Sequence, residues 1–363
     1  MLALAASPPI PTPPELAAKS WYLQDFSSGR VIAAHNEDEP MPPASLTKIM
    51  TAYVVLRELK ARHISLEDMV TISKKAWQTP GSRMFVEVGK QVSVEDLLKG
   101  MIIQSGNDAS VSLAEHVAGS ESVFAQMMNT EARRLGMDSS HFTNSTGLPD
   151  EELRVTAHDM ARLTRALIQE FPDFYEWFAH RDFTYNGIKQ HNRNSLLWRD
   201  ATVDGVKTGH TDNAGYCLVA SAKRDDMRLI SVVMGTADNE ARTKASKILL
   251  NYGFRFFETH KLYPAGETLT NARVWQGAET AAPLGLKTDL YVTIPRRHYD
   301  RLKAEVRLPR TILAPLGQGQ QVGSVNVFLA EQAIAEQPLV TLTAIPEGSL
   351  WQKLLDKARM VFH

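Results

Sequence analysis

The chain has one cysteine, Cys217, which excludes an internal disulfide and any metal site built from several thiolates. That count does not decide the compartment. An excess of one charge is lacking too: 40 basic residues face 41 acidic ones, giving a net charge of −1. With no basic tail or stripe, no nucleic-acid partner is expected. No run reaches the ~18 consecutive apolar residues that a membrane span requires. The histidines form no H-E-x-x-H string or close pair, and no acidic cluster has ligand spacing, so neither a metal nor another cofactor is expected. Gly317-Gln-Gly319 lacks the third glycine and the following helix of a dinucleotide site. No period of about 20–50 residues recurs, so the chain is not a solenoid or propeller.

At 363 residues there is room for two domains. Residues 1–7 read as the end of a signal h-region, with small residues at Ala3, Ala5 and Ala6 for cleavage and no charged n-region before them. Residues 1–19 are therefore expected to be the remnant of an export signal; the alternative is a disordered leader rich in proline. Strands are expected at 20–26 and 31–34, then a helix over 45–59 behind the breaker Pro40-Met41-Pro42-Pro43. Ser93 with Asp96 starts a helix reaching 103, and Thr156 with Asp159 starts another reaching 168. Further helices are expected at 109–117, 121–135 and 241–252, and strands at 203–207, 215–221 and 228–234. The expected fold class is α/β (α+β), an antiparallel sheet with an inserted helical cluster over 20–262. From 263 to 348, short alternating runs separated by Pro and Gly predict a small all-β sandwich or barrel.

Three short strings stand in order: Ser45-Leu46-Thr47-Lys48, Ser105-Gly106-Asn107 and Lys207-Thr208-Gly209. Each is weak alone, since average usage gives roughly one Ser-x-x-Lys by chance in a chain of this length. Taken alone, each reads more simply as ordinary structure: Ser45 as an N-cap with Lys48 an exposed helix residue, Ser105 to Asn107 as an interhelical turn, and Lys207 to Gly209 as a solvated hairpin. Together they carry a serine nucleophile and lysine partners. Lys48 lies three residues on, within one helical turn of Ser45. A serine hydroxyl needs such a base, and a helix N-terminus suits a developing oxyanion.

The combination is the one that class A β-lactamases and penicillin-binding proteins carry, with Gly106 where those β-lactamases have Asp. The surroundings Pro43-Ala-Ser45-Leu-Thr-Lys-Ile-Met-Thr51, Gln104-Ser-Gly-Asn-Asp108 and Asp204-Gly-Val-Lys-Thr-Gly-His-Thr211 sharpen the likeness. With Gly253-Phe-Arg-Phe-Phe-Glu258, Ile345-Pro-Glu-Gly348 and the β-rich tail, the chain resembles low-molecular-mass penicillin-binding proteins over nearly its whole length. It is most similar to D-alanyl-D-alanine carboxypeptidases of the penicillin-binding protein 5 and 6 type. That resemblance implies a serine β-lactamase/transpeptidase-like catalytic domain. It also implies removal of the terminal D-alanine from peptidoglycan pentapeptide stems through a Ser45 acyl-enzyme, and acylation by β-lactams.

By the same resemblance, Lys48 takes the Ser45 proton and Ser105 passes one to the leaving amine. Asn107 holds the substrate amide, Lys207 sets the field and positions Ser105, and Thr208 binds the terminal carboxylate. Backbone N–H groups of Ser45 and His210 form the oxyanion hole, and Gly209 lets a substrate backbone approach. Arg242 assists carboxylate recognition; its alternative is a solvated residue at a helix start. For Lys48 to act as a base near pH ~7, its pKa must fall by roughly 3 units from about 10.4, which is about 4 kcal/mol. A like charge at about 4 Å supplies ~4 kcal/mol at an effective dielectric of ~20, so Lys207 is expected to do much of this, with burial adding more.

Two other functions stay open on the sequence. One is a class A-like β-lactamase, which would need a glutamate to activate water; no Glu-Leu-Asn-like string lies between Asn107 and Lys207. The other is a catalytically weak wall-binding or scaffold protein. The second domain shows no chemistry of its own and reads as a spacer or partner module. Residues 349–363 place Leu350, Trp351, Leu354, Leu355, Ala358, Val361 and Phe362 on one stripe against Lys353, Asp356, Lys357 and Arg359. That pattern is expected to anchor the enzyme at a membrane surface; a docked terminal helix is the alternative. The expected location is periplasmic, on the outer face of the cytoplasmic membrane.

Overall fold

The computed structural model describes residues 10–360; residues 1–9, where the h-region and cleavage-site reading falls, and 361–363 lie outside the described residues. The chain divides into two compact units, one of residues 12–255 and one of residues 256 onward together with Ile10 and Pro11. The sequence reading put this boundary at 262/263. The difference is strand β10 (Phe257–Tyr263), which pairs with β13 (Leu290–Pro295) in the second unit.

The first unit is built on an antiparallel sheet of five strands in the order β2-β1-β9-β8-β7. These are β1 (Ser20–Asp25), β2 (Val31–His35), β7 (Val203–Thr211), β8 (Gly215–Arg224) and β9 (Met227–Thr236). The centres of β8 and β9 are buried on both faces, as expected of strands between helical layers. On one face lies α9 (Asn239–Phe256), seated so closely that a Cβ on Gly253 would stand 2.5 Å from Leu229 Cδ1. The other helices fall between β2 and β7: α1 (Thr47–Lys60), α2 (Lys74–Gln78), α3 (Val94–Lys99), α4 (Asn107–Ala118), α5 (Glu121–Arg134), α6 (Ala157–Glu170), α7 (Pro172–Tyr175) and α8 (Leu196–Arg199). Two ribbons interrupt them, β3 (Met69–Thr71) with β4 (Gln91–Ser93), and β5 (Asp182–Tyr185) with β6 (Ile188–His191).

The expected caps are in place: Ser93 Oγ accepts the Asp96 N–H and Thr156 Oγ1 accepts the Asp159 N–H, both at 3.1 Å. The helix expected over 94–103 is shorter. It widens after Lys99 into a π-helical turn, Gly100–Gln104, which delivers Ser105 in the left-handed region at φ 69°. Such turns concentrate at functional sites.

The second unit holds a five-stranded antiparallel sheet in the order β11-β12-β16-β15-β14. Its strands are β11 (Thr270–Arg273), β12 (Ala281–Gly285), β14 (Leu302–Arg307), β15 (Gln321–Leu329) and β16 (Gln332–Thr341). Leu284, Val292, Ile294, Val325, Val327 and Leu339 fill its core. Helix α10 (Leu350–Met360) follows, and its Asp356 carboxylate accepts the Gln276 N–H at 2.6 Å. Leu350, Trp351, Leu354 and Leu355 on α10 are exposed. Among the described residues no helix is long and apolar enough to cross a membrane.

Candidate active site

Ser45 sits in a single 3-10 turn, Ala44–Leu46, that leads directly into α1. It is not an N-cap: no side chain caps this turn. Ala44 before it takes a positive φ of 48°, a conformation costly for a residue with a Cβ and often found at sites of chemistry. From α1 itself, Lys48 Nζ reaches back to Ser45 Oγ at 3.1 Å. The same amine donates to Asn107 Oδ1 at 2.7 Å and to the Thr146 carbonyl at 2.6 Å, so all three of its protons have acceptors. Lys48 is 1% exposed. Burial pushes its amine down to about 7; Asp108 and Glu121 pull the other way, and Arg193 adds to the fall.

The turn after the π-helical segment supplies the second string. Ser105 is 3% exposed, and among the described residues its hydroxyl has no hydrogen-bond partner. Asn107 opens α4 with its amide committed to the Lys48 amine on one side and to the Pro80 carbonyl, at 2.6 Å, on the other. The structure therefore makes Asn107 a holder of Lys48, a role the sequence reading did not give it. Asp108, also unassigned there, is buried and accepts the N–H groups of Met84, Phe85 and Val86 at 3.0, 3.0 and 3.3 Å. It pins that loop beside Ser105.

The third string lies on β7, which among the described residues is the terminal strand of its sheet and pairs with β8. Gly209 meets the Ser45 turn directly: a Cβ there would stand 2.8 Å from the Pro43 carbonyl oxygen and 3.2 Å from the Leu46 nitrogen. Its missing side chain thus also serves the contact between β7 and the Ser45 turn, a role the sequence reading did not give it. Lys207 is 3% exposed, and its Nζ donates to the Thr208 carbonyl at 3.2 Å. Burial, then the charges of Lys48, Arg193 and Arg242, holds it well below the usual lysine range. The expected tie from Lys207 to Ser105 is not made. Nor does a like charge dominate the fall at Lys48; burial comes first there.

A cleft of about 760 Å³ opens onto this array. Ser45, Ser105, Thr208, Gly209, His210 and Arg242 line it, with Lys48, Asn107 and Lys207 buried close to its wall. Arg242 is 6% exposed and not a solvated helix-start residue. Its guanidinium donates to the Gly209 and Cys217 carbonyls at 2.9 and 3.2 Å, and to Asn239 Oδ1 at 2.6 Å. Burial lowers it to about 10, so it remains a cation at neutral pH. Residues of β6 and Arg193 complete the far wall. Arg193 went unread in the sequence because no string contains it, although its charge reaches Lys48, Lys207 and Arg242.

Residues 7–238 match the Peptidase S11 family, described as D-alanyl-D-alanine carboxypeptidase. The chain belongs to that family. Residues 257–347 match the C-terminal domain of penicillin-binding protein 5, so the resemblance read from the strings extends through the second unit. The chain is 46% identical to D-alanyl-D-alanine carboxypeptidase DacC of Escherichia coli K12 over 358 residues, covering 96% of this chain and 90% of that one. It is 44% identical to DacA of the same organism over 362 residues, covering 98% and 90%. Penicillin-binding protein 5 of Haemophilus influenzae superposes with a TM-score of 0.89 at 42% identity, covering 93% of this chain and 99% of that one. The fold is the transpeptidase-like α/β domain of these carboxypeptidases followed by their C-terminal β domain, and the chain is a serine-type hydrolase of this family.

Proposed function

We propose that the protein removes the terminal D-alanine from peptidoglycan pentapeptide stems through an acyl-enzyme on Ser45. The observation that carries this is the Lys48 amine, 3.1 Å from Ser45 Oγ and lowered by burial to about 7. A neutral amine at that distance can take the hydroxyl proton as Ser45 Oγ attacks the carbonyl carbon of the penultimate D-alanine. The main-chain N–H groups of Ser45 and His210 receive the oxyanion. The C–N bond then breaks, the leaving amine takes its proton by way of Ser105, and D-alanine departs. Thr208 and Arg242 hold its carboxylate. Water then hydrolyses the ester, releasing the shortened stem and restoring Ser45.

β-Lactams present a strained amide to the same hydroxyl and acylate it. Among the described residues no carboxylate hydrogen-bonds Ser45 or Lys48, so the resulting ester lacks the water-activating group of a class A β-lactamase and is hydrolysed slowly. We place the enzyme in the periplasm, on the outer face of the cytoplasmic membrane, held there by α10. The exposed Leu350, Trp351, Leu354 and Leu355, flanked by Lys353, Lys357 and Arg359, support this.

Intact-protein mass spectrometry after benzylpenicillin treatment tests the function. The expected result is a single persistent adduct that Ser45→Ala abolishes, together with D-alanine release from peptides ending in D-Ala-D-Ala. No adduct, or rapid steady turnover of the penicillin, would overturn the reading.

A further inference from the structure

One carboxylate outside that mechanism lies behind Lys48. Glu121 opens α5, where the positive end of the helix and the Lys75 ammonium, 2.7 Å away, both favour its charged form. Burial pushes this carboxyl up, but hydrogen bonds from Lys75 and Ser145 outweigh it and hold the group below the usual carboxylate range. Its Oε1 accepts both the N–H and the hydroxyl of Ser145, at 3.1 and 2.8 Å. The Ser145 carbonyl accepts the Thr51 and Ser110 hydroxyls, at 2.7 and 2.6 Å. Ser145 is fully buried and gripped through its N–H, its hydroxyl and its carbonyl. The next carbonyl along the chain, that of Thr146, makes the shortest of the three bonds to Lys48.

We propose that Glu121 is a positioning residue for the Lys48 amine, acting through Ser145 and the Thr146 carbonyl. The proposal rests on Lys48 being the base for acylation. Loss of the grip on Ser145 frees the Thr146 carbonyl, and the amine loses the acceptor that fixes its distance from Ser45. Loss of the charge acts separately. The charged groups facing the Lys48 amine are Asp108 from α4, Glu121 from α5, Arg193 after β6 and Lys207 from β7, with Lys75 beyond Glu121. Neutralising Glu121 removes an anion that favours the ammonium, so the neutral base forms at lower pH. Neutralising Lys75 leaves that anion without its partner, and the shift runs the other way.

The test is the pH profile of acylation by benzylpenicillin for the full chain and for Glu121→Gln, Lys75→Met and Glu121→Ala. Glutamine keeps the acceptor oxygen and the fold, so it isolates the charge. Its midpoint is expected to move to lower pH, and that of Lys75→Met to higher pH. Glu121→Ala is expected to lower the high-pH plateau about tenfold or more. A Glu121→Ala plateau equal to wild type overturns the proposal, and so does a Glu121→Gln plateau lowered as far as that of Glu121→Ala, because the oxygen that grips Ser145 would then not set the amine. A Lys48→Ala variant that acylates normally is a different failure, since it removes the role of Lys48 itself.

Discussion

Lys48 Nζ lies 3.1 Å from Ser45 Oγ with its two other protons held by Asn107 and the Thr146 carbonyl. The amine is therefore aimed as well as neutralised, and its titration should govern acylation. Burial depresses it to about 7, so it carries a proton below that pH and has lost it above. The acylation rate constant should rise between pH 6 and pH 8, with a midpoint near about 7, and then level off. Lys48→Ala should lose about 10²–10⁴-fold at the plateau. A flat profile across this range would falsify the assignment of Lys48 as base.

Arg242 gives a prediction that separates recognition from chemistry. Its guanidinium lines the cleft while holding the end of β7 through the Gly209 carbonyl. Arg242→Ala should lower kcat/KM for peptides ending in a free carboxylate about 10–100-fold, the range of a charge-assisted bond. Peptides whose terminus is an amide should be poor substrates for both proteins, with little further loss in the variant. Equal losses on acid and amide would argue that Arg242 matters only for strand position. Lysine at 242 should not rescue, because it cannot reproduce the fork that reaches Asn239 and Gly209 together.

Two glycines should behave differently on substitution. At Gly209 an added Cβ meets the Pro43 carbonyl oxygen at 2.8 Å, so Gly209→Ala pushes β7 away from the Ser45 turn. A folded protein with acylation slowed at least about tenfold is expected. At Gly147 the φ is +85° and a Cβ would lie 1.8 Å from the Ala44 carbonyl oxygen. Gly147→Ala should cost more than about 3 kcal/mol and show first as a lowered Tm. Calorimetry beside penicillin labelling distinguishes the two, and a Gly147→Ala protein of wild-type Tm would contradict the contact.

The tail is testable apart from catalysis. Deleting residues after Pro346 removes the exposed apolar face of α10 and its flanking lysines. The full chain should co-sediment with anionic phospholipid vesicles and the truncated chain should remain in solution, with penicillin labelling unchanged. Equal binding by both would place any membrane contact elsewhere.

What could be read from the sequence was carried by residue types with few roles. Ser93 and Thr156 announce helix starts because only short polar side chains cap well, and both do so. The three strings offered a candidate nucleophile, its amine and the edge strand because those chemistries need particular side chains. The Thr146 carbonyl had no such signal, since any residue offers one; its only hint was the turn-forming run from Asn144 to Gly147, where Asn144 Oδ1 accepts the Thr146 and Gly147 N–H groups. The π-helical turn was hidden for a similar reason: Gly100 to Gln104 fits a helical pattern, and the pattern does not distinguish an α-helical turn from a wider one. Lys207 was expected to act on Lys48 chiefly as a charge, but enclosure by the fold does more. Arg193 and Glu121 join the site only through tertiary contact, which composition and periodicity do not encode.

The Lys48 amine ties together stretches of chain separated by 59 and 98 residues. A polypeptide with any one of those stretches misplaced would present an ordinary, unreactive serine. Covalent labelling by a fluorescent penicillin therefore counts correctly assembled molecules, and the drug doubles as a quality assay for refolding, secretion and thermal recovery of this enzyme.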